Sequence, residues 1–368
     1  MKVPLRKLLI ISLLLTTMIS FNRVMANEPA PIADTAQENK SFDVKTYIFD
    51  HILDAHEWHI CVINKHHISI PLPVIVYSEL TGWHVFMSTK FHHGHEAFEG
   101  LSISKITGKE GKILETDYSG NITFPLDLSI TKNVLTLLMS LILLVFLFLK
   151  IGLRYKNHTL EAPKGIQSLL EPIILFVRDD IAKPSIGDKY EKFLPYLLTI
   201  FFFIWFNNML GLIPIFPGGA NLTGNIAVTM VMAVFTFVIM SFVATKHYWI
   251  EIVNPEVPIW LKFPIPLMPL IEIVGLITKP FTLMVRLFAN ITAGHIIGLA
   301  FIGLIFIFGQ INMYIGYGVS IFSMAFMIFA TLLELLVALI QAYVFTLLSA
   351  IYFGLAMVHP HHEEKKHS

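Results

Sequence analysis

The chain has 368 residues, of which 55% are hydrophobic and only 14% charged, with 30 phenylalanines, a mean hydropathy of +0.68 and no formal net charge. This balance excludes an ordinary soluble globular domain and marks an integral membrane protein, while zero net charge provides no global field for nucleic acid or acidic partners. A single cysteine, Cys61, rules out an intrachain disulfide framework and a thiolate metal cluster.

At the N-terminus Lys2, Arg6 and Lys7 precede an apolar run at 8–19, and Val24-Met25-Ala26 suits cleavage before Asn27. The run is shorter than the ~18 residues a spanning helix needs, so residues 1–26 read as a signal peptide, the alternative being an uncleaved anchor. Cleavage would start the mature chain outside the cytoplasm. Residues 27–130 are of mixed polarity and form an extracytoplasmic, His-rich region, with nine of the 16 histidines between His51 and His95. Alternating segments at 58–63, 68–77 and 101–106, punctuated by Pro71, Pro73, Gly82, Gly94, Gly108, Gly111 and Gly120, predict a small, partly β fold ending near Thr131. His66-His67 and His92-His93-Gly94-His95 make a Zn²⁺ or Cu²⁺ site chemically feasible. They lack an evident ligand spacing, however, and no metal or other cofactor is expected.

Hydrophobic segments follow at 131–149, 193–213, 225–244, 267–308 and 315–358, predicting about five membrane-crossing helices in an all-α membrane domain over 131–358. The last two are roughly twice one bilayer in length at 1.5 Å per residue, and their short connection at 310–318 predicts a long, strongly tilted antiparallel hairpin. The loop 150–192 carries eight Lys/Arg, whereas 214–224 and 310–318 carry none. The first is therefore cytoplasmic, the other two face outside, and the tail at 359–368 is cytoplasmic. Within the basic loop Ile166, Leu169, Leu170, Ile173, Ile174, Val177 and Ile181 recur at helical spacing opposite Gln167, Glu171 and Arg178, with Pro172 as a bend. This is either an interfacial amphipathic helix or a plain loop helix.

Arg286 is the only Lys, Arg, Asp or Glu between Lys279 and Glu334. A guanidinium keeps its charge, and ~3 kcal/mol or more opposes placing it at a bilayer centre, so it requires a partner-facing reason to be there. In the hairpin, Arg286/Gln341 and His295/Glu334 are each nearly equidistant from a turn near residue 314, so each pair falls at one depth. His295 is nine residues from Arg286, on the opposite side of its helix and nearer the outer loop, while Glu334 and Gln341 share a face. A histidine beside a carboxylate can exchange a proton near neutral pH and, inside a membrane, marks a proton relay.

On the inward side Glu272, Lys279 and Arg286 recur at intervals of seven, flanked by Thr282, Asn290 and Ala293. Glu272 and Lys279 are either interfacial anchors or members of a polar track. Small residues Ala289, Ala293 and Gly294 would admit another helix. The pattern is one of two polar approaches, outer through His295 and Glu334 and inner through Glu272, separated by a permanent cation that repels protons and attracts a partner's carboxylate.

Read as strings, Thr278-Lys279-Pro280, Arg286-Leu287-Phe288-Ala289-Asn290-Ile291-Thr292-Ala293-Gly294-His295 and Glu334-Leu335-Leu336-Val337-Ala338-Leu339-Ile340-Gln341-Ala342-Tyr343 resemble subunit a of the F-type ATP synthase, as do Asn207-Asn208-Met209-Leu210-Gly211-Leu212-Ile213-Pro214 and Asn225. The resemblance covers about 131–358. It implies a stator subunit, not catalytic alone, with offset half-channels serving the carboxylates of a rotating c-ring. Implied partners are that ring, peripheral-stalk b subunits, lipid and protons, in a bacterial inner (plasma) membrane. Arg286 matches the cation facing the ring, Gln341 and Asn290 its neighbours, and Glu272 the inner path. His295 with Glu334 has the order of mitochondrial versions, many bacterial versions placing the acid first. The 27–130 region is a departure from the family, and it leaves one alternative, a membrane metalloprotein acting through its histidines.

Overall fold

The computed structural model describes residues 48, 52–63, 66–94, 96–104, 106, 109, 111–117, 120–157, 162–213, 218–254 and 267–357. The expected signal peptide at 1–26 and the tail at 359–368 lie outside the described residues.

Among the described residues the N-terminal region carries eight short strands: β1 (Glu57–Ile63), β2 (His66–Pro71), β3 (Pro73–Ser78), β4 (Gly82–Met87), β5 (Leu101–Ile103), β6 (Ile113–Thr116), β7 (Ile122–Thr123) and β8 (Leu126–Asp127). They pair antiparallel as β1-β2, β4-β3-β8 and β5-β6-β7. The strand expected over 68–77 is two strands broken at Leu72. Pro71 and Pro73 on either side have no N–H to give to a ladder. Leu72 instead bonds Ser88 twice, its N–H donating to Oγ at 3.1 Å and its carbonyl accepting from the Ser88 N–H at 3.0 Å. β3 then returns as β4 through Gly82, whose φ of +85° suits glycine. Val74, Val76, Phe91, Leu101 and Ile113 form the core, with Phe86, Phe98 and Ile103 packed on it.

The membrane part comprises α1 (Lys132–Asn157), α2 (Ile166–Phe176), α3 (Lys183–Ile186), α4 (Tyr190–Leu212), α5 (Ile226–Val243), α6 (Lys246–Val253), α7 (Leu267–Ile311) and α8 (Met313–Ala356). Among the described residues five stretches are long and apolar enough to cross a membrane: Lys132–Lys156, Ile166–Leu212, Ile226–Val243, Met268–Ile311 and Met313–Ala356. The described residues divide into two compact units, one within 1–140, 209–222 and 292–334, the other within 141–208, 223–291 and 335–368.

In the first unit the strand-rich part is tied to the start of α1: the Lys132 N–H donates to the Ala55 carbonyl at 2.9 Å, and the Asn133 N–H to Asp54 Oδ1 at 3.0 Å. The nine-residue connection expected at 310–318 contracts to Asn312, whose Oδ1 accepts from the Tyr314 N–H at 2.9 Å and so caps α8. Two glycines permit this, since a Cβ on Gly316 would stand 2.8 Å from the Cα of Gly309.

In the second unit α2 departs from the expected amphipathic pattern. Gln167 is buried, while Ile166 and Leu169 are 57% and 67% exposed. Leu170, Val177 and Ile181 of the expected apolar stripe are buried as well, so the covered side takes in Gln167 together with apolar side chains. Pro172 does not end α2, which runs on into a π-helical turn at Val177–Ala182. Elsewhere in this unit Asn225 caps α5 by accepting from the Ala227 N–H at 2.9 Å, and Phe193 packs on Phe353 with ring centroids 5.1 Å apart.

Candidate functional site

In the first unit α7 contributes His295 and α8 contributes Glu334, with Nδ1 2.8 Å from Oε1 and side chains only 17% and 12% exposed. No donor is aligned on Oε1 among the described residues, so the contact meets ion-pair distance without a straight N–H···O bond. Gly294 makes the approach possible, for a Cβ there would lie 3.0 Å from both Cδ and Oε1 of Glu334. The other side of the imidazole borders α4, where a Cβ on Gly211 would come 3.6 Å from His295 Nε2. His295 is thus held between a carboxylate and a glycine on a neighbouring helix. Phe301 and Phe326 pack ring on ring, with centroids 5.5 Å apart, between the pair and Asn312. The structure therefore brings together the two residues expected at one depth.

In the second unit Arg286 is exposed, and Thr282, Ala289 and Asn290 on the same helix are exposed with it. Among the described residues no carboxylate lies within ion-pair distance of Arg286. Gln341, expected beside it, is buried at 5% exposure between Ala338 and Ala342, which are fully buried, and no hydrogen bond joins Gln341 to Arg286. Glu272 is half-buried and forms no ion pair among the described residues.

Lys279 is in an aromatic cage rather than open to a track. Its Nζ donates to the Tyr248 hydroxyl at 3.3 Å and stands 5.6 and 5.8 Å from the ring centroids of Tyr248 and Tyr352. Two tyrosines stabilise an ammonium by cation–π attraction. Nothing in local sequence pointed to this cage, because Tyr248 and Tyr352 are 31 and 73 residues away. Buried Asn208 braces two other segments: its amide donates to the Ala338 carbonyl at 3.1 Å and its Oδ1 accepts from Thr223 Oγ1 at 2.6 Å.

In the extramembrane part His56 Nε2 pairs with Asp127 Oδ2 at 2.9 Å, and His84 contacts Glu99 at 2.5 Å and Thr81 at 2.7 Å. Burial alone would raise the Asp127 carboxyl, but the hydrogen bond and charge of His56, aided by Ser129, hold it below its ordinary value. Among the described residues no three His, Cys, Asp or Glu side chains converge on a metal position. His51, His95 and the side chains of His59, His66, His67 and His93 lie outside the described residues.

The ATP synthase A chain family matches residues 134–354, and a domain of unknown function matches residues 47–133. Relatives include ATP synthase subunit a of Chloroherpeton thalassium, 41% identical over 66% of this chain and 70% of its own length. ATP synthase subunit a 2 of Chlorobaculum tepidum is 47% identical over 63% of this chain and 64% of its own length. The corresponding protein of Prosthecochloris aestuarii is 45% identical over 64% and 71%. The family match takes in α4, α5, α7 and most of α8, the helices that carry Arg286, His295 and Glu334. With these helices and that match, the chain belongs to the ATP synthase subunit a family, a multi-pass, non-catalytic, proton-translocating component of ATP synthase.

Proposed function

We propose that this chain is the stator half of a rotary proton path, with two offset aqueous half-channels that load and unload carboxylates on a rotating c-ring. The observation that carries this reading is Arg286: a permanent cation, exposed on its helix and without a carboxylate among the described residues. An uncovered guanidinium in an apolar segment is stabilised when a mobile acid comes to it, and it repels protons that would otherwise leak past. His295 and Glu334 serve the outer path, since a buried imidazole–carboxylate contact can hand a proton either way. Asn290 stands one helical turn from Arg286, Gln341 is the buried residue expected beside it, and Glu272 serves the inner approach.

In this reading α7 and α8 form a tilted antiparallel hairpin, supported by the contacts His295–Glu334, Phe301–Phe326 and Gly309–Gly316. Residues 1–26 are a signal peptide, 27–130 an extracytoplasmic region, 131–358 the membrane domain and 359–368 a cytoplasmic tail, in a bacterial inner membrane. The eight basic residues of 150–192 support that orientation. Peripheral-stalk b subunits hold the chain against rotation.

The test is Arg286→Ala in the assembled complex in membrane vesicles. ATP-driven proton pumping is expected to be abolished while the complex still co-purifies with its ring. Normal pumping rejects the reading.

A further inference from the structure

The stretch from β8 to α1 carries its alternation inside out. Asp127 and Ser129 face the covered side of the sheet, where His56 Nε2 meets Asp127 Oδ2 at 2.9 Å and Ser129 Oγ accepts from the Ile75 N–H at 3.1 Å. Leu126, Leu128 and Ile130 alternate with them and so lie on the other side. On β4 the outward residues are again apolar: Trp83, Val85 and Met87 are 63%, 70% and 44% exposed. β3 joins the two strips, with Tyr77 opposite both Trp83 and Leu126, and Ile75 opposite Val85 while its carbonyl accepts from the Leu128 N–H at 2.9 Å. The outer face of the β4-β3-β8 sheet is thus apolar in every row. A sheet with one solvated face ordinarily puts polar side chains there, and a contiguous exposed apolar patch marks contact with a protein or a membrane.

The place of this face in the chain favours the membrane. The ladder runs on past β8, the Ile130 N–H donating to the Pro73 carbonyl at 3.1 Å, and after Thr131 alone α1 begins at Lys132. The Lys132 N–H is itself held by the Ala55 carbonyl, so sheet and helix are joined without slack. The stretch Lys132–Lys156 is long and apolar enough to cross a membrane. Two residues of chain reach at most ~7 Å, so the Pro73 end of the face lies beside the first residue of that span. A headgroup zone is itself about 5–8 Å deep. At the far end of the face Tyr77 and Trp83 pack with ring centroids 5.1 Å apart, and these are the two side chains enriched where lipid meets water. A surface tethered this closely meets the bilayer at a far higher effective concentration than it meets a diffusing partner.

We infer that the outer face of the β4-β3-β8 sheet rests on the lipid surface around α1, with its aliphatic side chains at the headgroup–acyl boundary and the Tyr77–Trp83 pair among the headgroups. The strand-rich region is then a foot that fixes the angle at which α1 enters the bilayer. This goes beyond the proton path, which uses none of these residues.

Spin labels test it in the intact complex, reconstituted in vesicles of phosphatidylcholine and phosphatidylglycerol. In a Cys61→Ser background Val85→Cys and Ala97→Cys each give this chain one thiol, and the signal of the Cys61→Ser complex is subtracted. Ala97 is the control: it is exposed and adjoins Phe98, which packs on Phe86 from the covered side of the sheet. At 85, broadening by a water-soluble nickel chelate should be lost while broadening by oxygen, which concentrates in lipid, is kept; at 97 both should be kept. Chelate broadening at 85 equal to that at 97 means that water covers the face, and loss of both at 85 means that protein does. Either result overturns the inference. A second measurement needs no label: the fluorescence difference between wild-type and Trp83→Phe complexes should be quenched in vesicles of brominated lipid, and an unquenched difference overturns the inference as well.

Discussion

Glu334 reaches His295 across the bare backbone of Gly294: the carboxylate occupies the place of the missing side chain, 3.0 Å from where a Cβ would be, and ends 2.8 Å from Nδ1. The contact is therefore a property of three residues on two helices. A contact that tight is sensitive to a single methyl group.

Gly294→Ala should displace Glu334 and separate the pair. A 3.0 Å approach forces the carboxylate or the helix to yield, and overpacking of this kind costs ~1–3 kcal/mol. The expected outcome is slowed ATP-driven proton pumping with the ring still bound. Pumping at the native rate would mean that the carboxylate moves aside without consequence.

His295→Glu and Glu334→His should each slow coupled flux, because either change alone leaves two like groups at one depth. The double exchange restores one imidazole and one carboxylate and should recover part of the flux. Loss confined to assembly of the complex, with no change in flux per assembled complex, would count against a relay.

Gly354→Ala should destabilise the second unit, since a Cβ there would meet the Ser185 carbonyl oxygen at 1.9 Å. No rotamer relieves a clash with backbone, so a loss of at least ~1–3 kcal/mol is expected. Thermal stability of the purified complex measures it, with Gly275→Ala, where a Cβ meets nothing within 4 Å, as the control.

Acid should loosen the extramembrane fold through Asp127. Its folded carboxyl is held below its ordinary value, so its contribution is present above the unfolded value of about 4 and is lost as pH falls through the folded one. Hydrogen exchange at β3 and β8 in the intact complex should accelerate below about pH 4. In Asp127→Asn this acid-dependent increment should shrink, because no carboxylate remains to be protonated.

The sequence made some of these features readable and hid others. Strand β4 went unforeseen because Trp83, Val85 and Met87, its apolar outward residues, are exposed, so hydrophobicity did not separate its faces. The expected connection at 310–318 looked like a loop for its glycines and Asn312. Those glycines instead let two helix backbones close together, and the loop is reduced to one capping residue.

By itself the sequence determined that this is a membrane protein, where its apolar segments begin near residue 131, and at what depth His295 and Glu334 fall. These follow from local transfer free energy and from the fixed rise of a helix, which one chain segment specifies alone. Only the tertiary structure decided that Arg286 is uncovered, that Lys279 is caged by Tyr248 and Tyr352, and that Gln167 turns inward. Which face of a helix is covered depends on the helix that arrives beside it, and periodicity within one segment carries no record of that neighbour.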